Sequence, residues 1–529
     1  MTAGLVGFLL HEMSFPISLD AQRLFRLAPG LCVGFAATFF WTAALADSTN
    51  VAAPSPAAAQ NSTTPTAQPA RSLDQPVDAN ATQAKPDAAS SNGPFGSLPQ
   101  DSNLFGDMWG LRPALKTFGT TLTLQEQSEI LGNVSGGRRV GFAYDGVTTA
   151  TLQTDTQAAF GWNGGLFNVS GLQIHGRNLS TDNLLTLQLA SNIEADVATR
   201  LWELWYQQTM FGGALDVKLG QQSIDQEFML SQNGGVFLNA AMGWPMTPTA
   251  DMPAGGPVYP LSALGVRVRA HPSDSLTMLA GVFNGSPVFS NYGDPQMRNP
   301  NGLSFPLNGG VLAIAELQYS TSPQGSAAKP GETAPLAGVY KIGFWYDSEN
   351  FADLRYDSAG LPLADPASSG IPASHRGDYA FYAMADQMIY RFENDADRNI
   401  NLFIRPSFTP LQDRNLISFS LNGGLTMNEP FVGRSKDVFG LGFGYAQVSN
   451  SASGFNQDTA FFNPGVYTPV RRSETFIETT YQYQAAPWWQ IQPDLQYVFN
   501  PGAGIVNPDN PTQKVKNEAV IGVRTTITF

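Results

Sequence analysis

The chain has 529 residues, 52 of them glycine, with 11% aromatic and 14% charged residues; soluble globular domains carry closer to about 25% charged residues. A mean hydropathy of -0.13 is too polar for a bundle of membrane helices, and no run of about 18 apolar residues follows position 46. The net charge of -14 disfavours nucleic acid as a partner and suits a surface that meets divalent cations and lipopolysaccharide.

Residues 1–46 read as a secretory signal peptide. Arg23 and Arg26 supply the positive start, Leu31 to Trp41 the apolar core, and Ala44-Leu45-Ala46 a cleavage site before Asp47. Met13 is an alternative start. Cys32, the chain's one cysteine, falls in this leader. The mature chain is then expected to have no disulfide, thiolate metal site or cysteine nucleophile. Residues 47–103 are rich in Ala, Pro, Ser, Thr and Gln. Such a segment buries too little apolar surface to offset the entropy of ordering, and reads as low-complexity periplasmic chain. From Leu104 to Phe529 the texture is uniform, which predicts one domain.

That domain alternates apolar and polar residues with the period of a β-strand. In 215–220, Leu215, Val217 and Leu219 oppose Asp216 and Lys218. In 265–270, Val266, Val268 and Ala270 oppose Arg267 and Arg269. The pattern recurs at 312–319, 338–347, 474–484 and 488–499, where Pro493 marks an irregularity on the apolar face. It is clearest at the end: Ala519, Ile521, Val523, Thr525, Ile527 and Phe529 oppose Gly522, Arg524, Thr526 and Thr528. A soluble β-sandwich also alternates, but its wet face would carry Lys and Glu freely. Here the polar face is Gln, Asn, Thr and single charges, and Tyr, Trp and Phe collect near strand ends as an interfacial girdle does. The pattern predicts an all-β, transmembrane antiparallel barrel of sixteen strands between Gly119 and Phe529. Sixteen strands leave an aqueous channel. The terminal Phe529 is the expected signal to the barrel-assembly machinery.

Several runs resemble those of carbohydrate-selective porins of the OprB type. They are Trp109-Gly110-Leu111-Arg112, the strand Arg200 to Gln208, Asp225 to Phe228, Phe237-Leu238-Asn239, Gly243-Trp244-Pro245, Gly255 to Pro260, Leu264 to Arg269, Gly281 to Gly285, Pro487-Trp488-Trp489 and Gln492 to Tyr497. They occur in family order over roughly 104–529. The resemblance implies a 16-stranded outer-membrane porin passing glucose and similar small neutral sugars passively into the periplasm.

A sugar pore needs donors and acceptors that replace lost water, and must bind weakly. The inward face supplies the bases Lys218, Arg267, Arg269, Lys341, Arg405 and Arg524, and the acids Glu203, Asp216, Glu316, Glu478 and Asp494. This near balance suits uncharged solutes. Ser231 to Pro260 is too long for a hairpin turn. It is expected to fold inward, presenting Asn239 and Trp244 with Asp225 and Glu227 at its base. A general or organic-acid porin is the alternative, and an outer-membrane enzyme a more distant one. After the leader only His175, His271 and His375 remain. They accompany no Gly-x-Ser-x-Gly elbow, nucleotide loop or metal spacing. His175 and His271 read as strand-end residues and His375 as part of a polar loop. No cofactor is expected. Monomer and homotrimer are both open.

Overall fold

A computed structural model describes residues 101–289, 293–321, 335–393 and 395–529. The segment expected as a signal peptide, residues 1–46, and the low-complexity segment as far as residue 100 lie outside the described residues. Among the described residues, no helix is long and apolar enough to cross a membrane, which says nothing of crossing by strands.

The wall begins with β1 (Thr120–Gly137), β2 (Gly141–Asp155), β3 (Gly165–Gly176), β4 (Ala198–Met210), β5 (Leu215–Gln222), β6 (Ala263–Ser273), β7 (Leu276–Asn284) and β8 (Val311–Ser320). It continues with β9 (Gly338–Asp357), β10 (Pro372–Phe392), β11 (Asp395–Phe408), β12 (Ile417–Asn428), β13 (Val438–Val448), β14 (Ser473–Ala486), β15 (Trp489–Phe499) and β16 (Lys516–Thr528). Each pairs with its sequence neighbours, and β1 closes antiparallel on β16. Closure leaves no unpaired edge, which hydrocarbon requires because it cannot hydrogen-bond to open backbone groups.

The alternation read from sequence is the alternation of the wall. On β9, Tyr340, Ile342, Phe344 and Tyr346 are exposed, whereas Lys341, Trp345 and Asp347 are buried on the inner side. Two connections at the end of the chain termini are tight, at 274–275 and 487–488, and the opposite end carries the longer 177–197, 223–262, 285–310 and 449–472. Short turns mark the periplasmic end of such barrels.

At that periplasmic end the chain is stitched. The Leu104 amide donates to Thr528 O at 2.8 Å, and the Phe529 amide to Leu124 O at 2.9 Å. Arg112, from the Trp-Gly-Leu-Arg run, donates to Gly106 O, Leu122 O and Phe529 O. The Phe105 and Phe529 rings lie 5.3 Å apart. His375 departs from the sequence reading: it lies in β10, not in a loop, with Nε2 2.8 Å from Asp353. Strands β9 and β10 carry 20 and 21 residues, more than about 9–11 needed to span a bilayer. Their outer ends have left the lipid, so the alternation fades there.

Candidate functional site: two straps inside the barrel

Two connections fold into the lumen. The first, 177–197, leaves β3 and reaches the far wall. Its Leu187 and Gln188 amides each donate to Glu474 of β14 at 2.8 Å, and Ala190 O accepts from Gln496 of β15 at 2.7 Å. Arg524 of β16 donates to Ser191 Oγ and Asn192 Oδ1 at 2.9 and 2.8 Å, and also holds Glu129 of β1 at 2.8 Å. The segment carries Leu179 and Leu184, both fully buried. Glu194 accepts the Ser180 amide at 3.0 Å, and burial raises its carboxyl to about 8.

The second strap, 223–262, leaves β5, crosses to β14 and returns to β6. Its neck is closed by Asp225, which accepts from Ser223 Oγ at 2.6 Å and from the Tyr259 amide at 3.2 Å. Burial pushes this carboxyl up, against those two bonds. At the far wall the Leu238 amide donates to Glu478 at 2.6 Å. Asn239 caps the turn 240–243 through the Ala241 amide and donates to Gln496 Oε1 at 3.1 Å. The two straps also pair with each other, Asn192 N to Leu238 O at 2.7 Å and Ala240 N to Leu189 O at 3.0 Å.

Irregular backbone inside a barrel must find partners for every peptide group. The inward charges provide them. Arg405 is fully buried and donates to the carbonyls of Met229, Ala241, Met242 and Gly243 at 2.7, 2.7, 2.8 and 3.0 Å. Lys341 Nζ donates to Leu230 O at 2.7 Å, and Glu316 accepts the Met229 amide at 2.8 Å. Asp386 accepts from Ser231 Oγ and Asn233 Nδ2. Apolar packing completes the docking: Phe228, Met229, Trp244 and Met252 of the strap cluster with Phe283, Leu312, Ile314 and Trp345 of the wall. Fully burying one such side chain is worth about 1.5–3 kcal/mol.

At the strap's base lies a mixed-sign network. Glu227 receives Lys218 at 2.5 Å, Arg267 at 2.6 Å and Arg269 at 2.5 Å. Burial opposes its charge, yet these cations outweigh burial and hold Glu227 below the usual carboxylate range. Arg267 also binds Asp216 and, at 2.9 Å, Gln207. Lys218 sits 4.1 Å over the Trp205 ring, and Glu203 accepts the Ser223 amide at 3.0 Å. Arg269 keeps 30% of its side chain exposed, whereas Lys218 and Arg267 keep 2% and 1%.

The ten residues singled out from sequence therefore converge on one strap: Glu203, Lys218, Asp225, Glu227, Arg267 and Arg269 at its root, Asn239, Lys341 and Arg405 along its course, and Trp244 in its apolar underside. Asn239 and Trp244, expected to face the channel, are turned into the docking surface. A strap spends its polar and aromatic groups on the wall that holds it. Sequence reasoning missed the first strap altogether, and with it Glu474; it also missed Asp386 beneath the second strap. Their signal was an acid at inward parity opposite a long connection.

Residues 139–529 match the family described as carbohydrate-selective porin, OprB family. The chain belongs to that family. Porin B of Pseudomonas aeruginosa is 24% identical over 445 residues, covering 78% of this chain and 89% of its own. A putative porin, QuiX, of Acinetobacter baylyi is 21% identical over 438 residues, 77% of this chain and 90% of its own. The solved high-pH structure of Pseudomonas putida OprB covers 81% of this chain and 99% of its own at a TM-score of 0.70 and 24% identity, a likeness of fold. The protein is an outer-membrane channel, not an enzyme.

Proposed function

We propose that this carbohydrate porin passes small neutral sugars, glucose among them, through a lumen narrowed by the two straps. The observation that carries the reading is the balance of charge at the strap root. Lys218, Arg267 and Arg269 are met by Glu203, Asp216 and Glu227, so a strong local field carries little net charge. A phosphate or organic-acid pore would want a dominant ring of cations. Elsewhere the inner wall is laddered with amides: Gln153 to Asn168 at 3.2 Å on β2 and β3, and Asn401 and Asn428 to Asn399 at 2.9 Å each on β11 and β12. Amides both donate and accept, which suits sugar hydroxyls and traps no ion. Of the predicted residues, Arg269 with Glu227 is the pair proposed to meet solute; the others hold the strap that shapes the passage. Phe529, docked on β1, is proposed as the contact for the assembly machinery, and the acidic outer loops as the surface meeting lipopolysaccharide.

The test is single-channel conductance in a planar bilayer, with glucose titrated against salt current. Dose-dependent block with weak ion selectivity supports the reading. An open channel indifferent to glucose, or a strongly anion-selective one, refutes it in favour of a general or organic-acid porin.

A further inference from the structure

Above the straps the mouth carries a further cover. The connection 449–472, between β13 and β14, holds the helix Asn450–Phe462, capped by Ser449 Oγ on the Ala452 amide at 3.2 Å. Its root stands on the lumen side. Ala452 packs in one cluster with Met246 and Ala250 of the second strap, Leu187 of the first, and the buried Ala446 and Val448 of β13. The connection 409–416 is tied to the same root, by Ser449 N to Leu416 O at 2.9 Å and Asn450 N to Gln412 Oε1 at 3.0 Å. Further along, the helix reaches the long hairpin of β9 and β10. Arg355, near the outer end of β9, forks onto Asp458, Nε to Oδ2 at 2.7 Å and Nη2 to Oδ1 at 3.0 Å. The guanidinium lies across Gly454, where a Cβ would fall 2.5 Å from Nη1. Gly454 and Asp458 are four apart and so share one face of the helix.

In the wall, β10, β11 and β12 stand between β9 and β13. Four strand spacings are about 19 Å, and a helix of 13 residues is about 20 Å long, so it can bridge that arc. Strands β13 and β14 are neighbours that a turn of a few residues would join, yet the chain spends 449–472 on the connection and lays its root over both straps. A solute coming from outside must round this helix before it meets them. How far the helix stands from the opposite rim then sets the opening at this level. Loose surface ion pairs hold little, whereas a bidentate fork fixes direction as well as distance. Here Arg355 and Asp458 keep only 29% and 16% of their side chains exposed. The absence of a side chain at Gly454 is what lets the fork lie flat on the helix.

We propose that Arg355 and Asp458 are positioning residues that set the outer size limit of the channel: they latch the helix over the mouth and so decide how large a saccharide reaches the straps. This rests on the passage of neutral sugars proposed above. The test is entry of graded neutral solutes into liposomes carrying the full chain. Glucose, a disaccharide and a trisaccharide report on sugars, and uncharged polyethylene glycols of rising mass report the opening whether or not sugars are recognised. Arg355→Gln is expected to shift both limits upward, to solutes that wild type excludes, while amide protection over 229–243 stays at the wild-type level. Gly454→Ala is the second variant. It displaces the guanidinium, leaves both partners in place, and favours the helix by its own propensity, so a melted helix cannot explain its effect. A wild-type size limit in Arg355→Gln overturns the inference, and where that variant does not assemble, a wild-type limit in Gly454→Ala does. A raised limit accompanied by lost protection over 229–243 overturns it too, because the effect then lies in the strap. Wild type that excludes glucose while the polymer limit still rises in the variants refutes the sugar reading alone and upholds the latch.

Discussion

Replacing Arg405 by methionine keeps an unbranched apolar stem and removes the fork that holds the second strap. Four carbonyls, of Met229, Ala241, Met242 and Gly243, lose their donor at a position where Arg405 is fully buried. Leaving one buried polar group unmet costs about 1–3 kcal/mol. The four are neighbours and do not add independently, so docking should weaken by roughly 4 kcal/mol rather than by the full sum. That is about a thousandfold change in the ratio of docked to released strap. The barrel wall keeps its ladder, since that ladder is backbone to backbone and the Arg405 side chain adds to it only a 3.5 Å contact with Asn422 Oδ1. The expected result is a folded, heat-modifiable barrel with raised and noisier single-channel conductance, weaker glucose block, and lost amide protection over 229–243. Arg405→Lys, which keeps the charge but not the planar fork, should fall between. Wild-type conductance, glucose block and amide protection in Arg405→Met would refute the anchoring argument outright.

Further outcomes follow from the same geometry. Glu227→Gln leaves Lys218, Arg267 and Arg269 short of a carboxylate, and reversal potentials in a salt gradient should move toward anion selectivity. In the wild type the depressed Glu227 contributes stability that is complete above the ordinary Glu value of about 4.3 and is lost only as pH falls through its lower folded value. Conductance should therefore not open through strap-root failure between neutral pH and about pH 5. Glu194 has the opposite sign: its folded value, about 8, lies above the unfolded one, so its stabilisation is complete below the unfolded value and lost as pH rises through about 8. Hydrogen exchange over 180–194 should quicken across that window in wild type and stay level in Glu194→Gln. Arg112→Ala removes the guanidinium that ties Gly106, Leu122 and Phe529 together, and should lower the barrel's melting temperature by an amount matching about 1–3 kcal/mol.

The wall was legible because its rule is local. Every second residue meets lipid, so Val266 and Val268 announce their side without knowledge of any neighbour, and Arg267 and Arg269 announce theirs. The same rule says only that a residue faces inward, not what waits there. Arg269 and Arg405 carry the same signature in sequence, yet one shows 30% of its side chain to the lumen and the other is fully buried beneath a strap. The difference lies in a connection 143 positions or more away from Arg405 along the chain, which no local pattern reports. The second strap was foreseen from its length. The first was not, although 177–197 carries Leu179, Leu184, Leu185, Leu187 and Leu189, too apolar a set for a loop resting in water. Such a loop must bury those residues. In a barrel whose outer face is already taken by lipid, the lumen is the one apolar seat the wall can offer, and Leu131, Ala143 and Val520 on the inner face receive Leu179 and Leu184 there. An inward leucine or valine at mid-strand is thus a sign of a strap overhead, as an inward charge with no charged neighbour in register is a sign of backbone to be held.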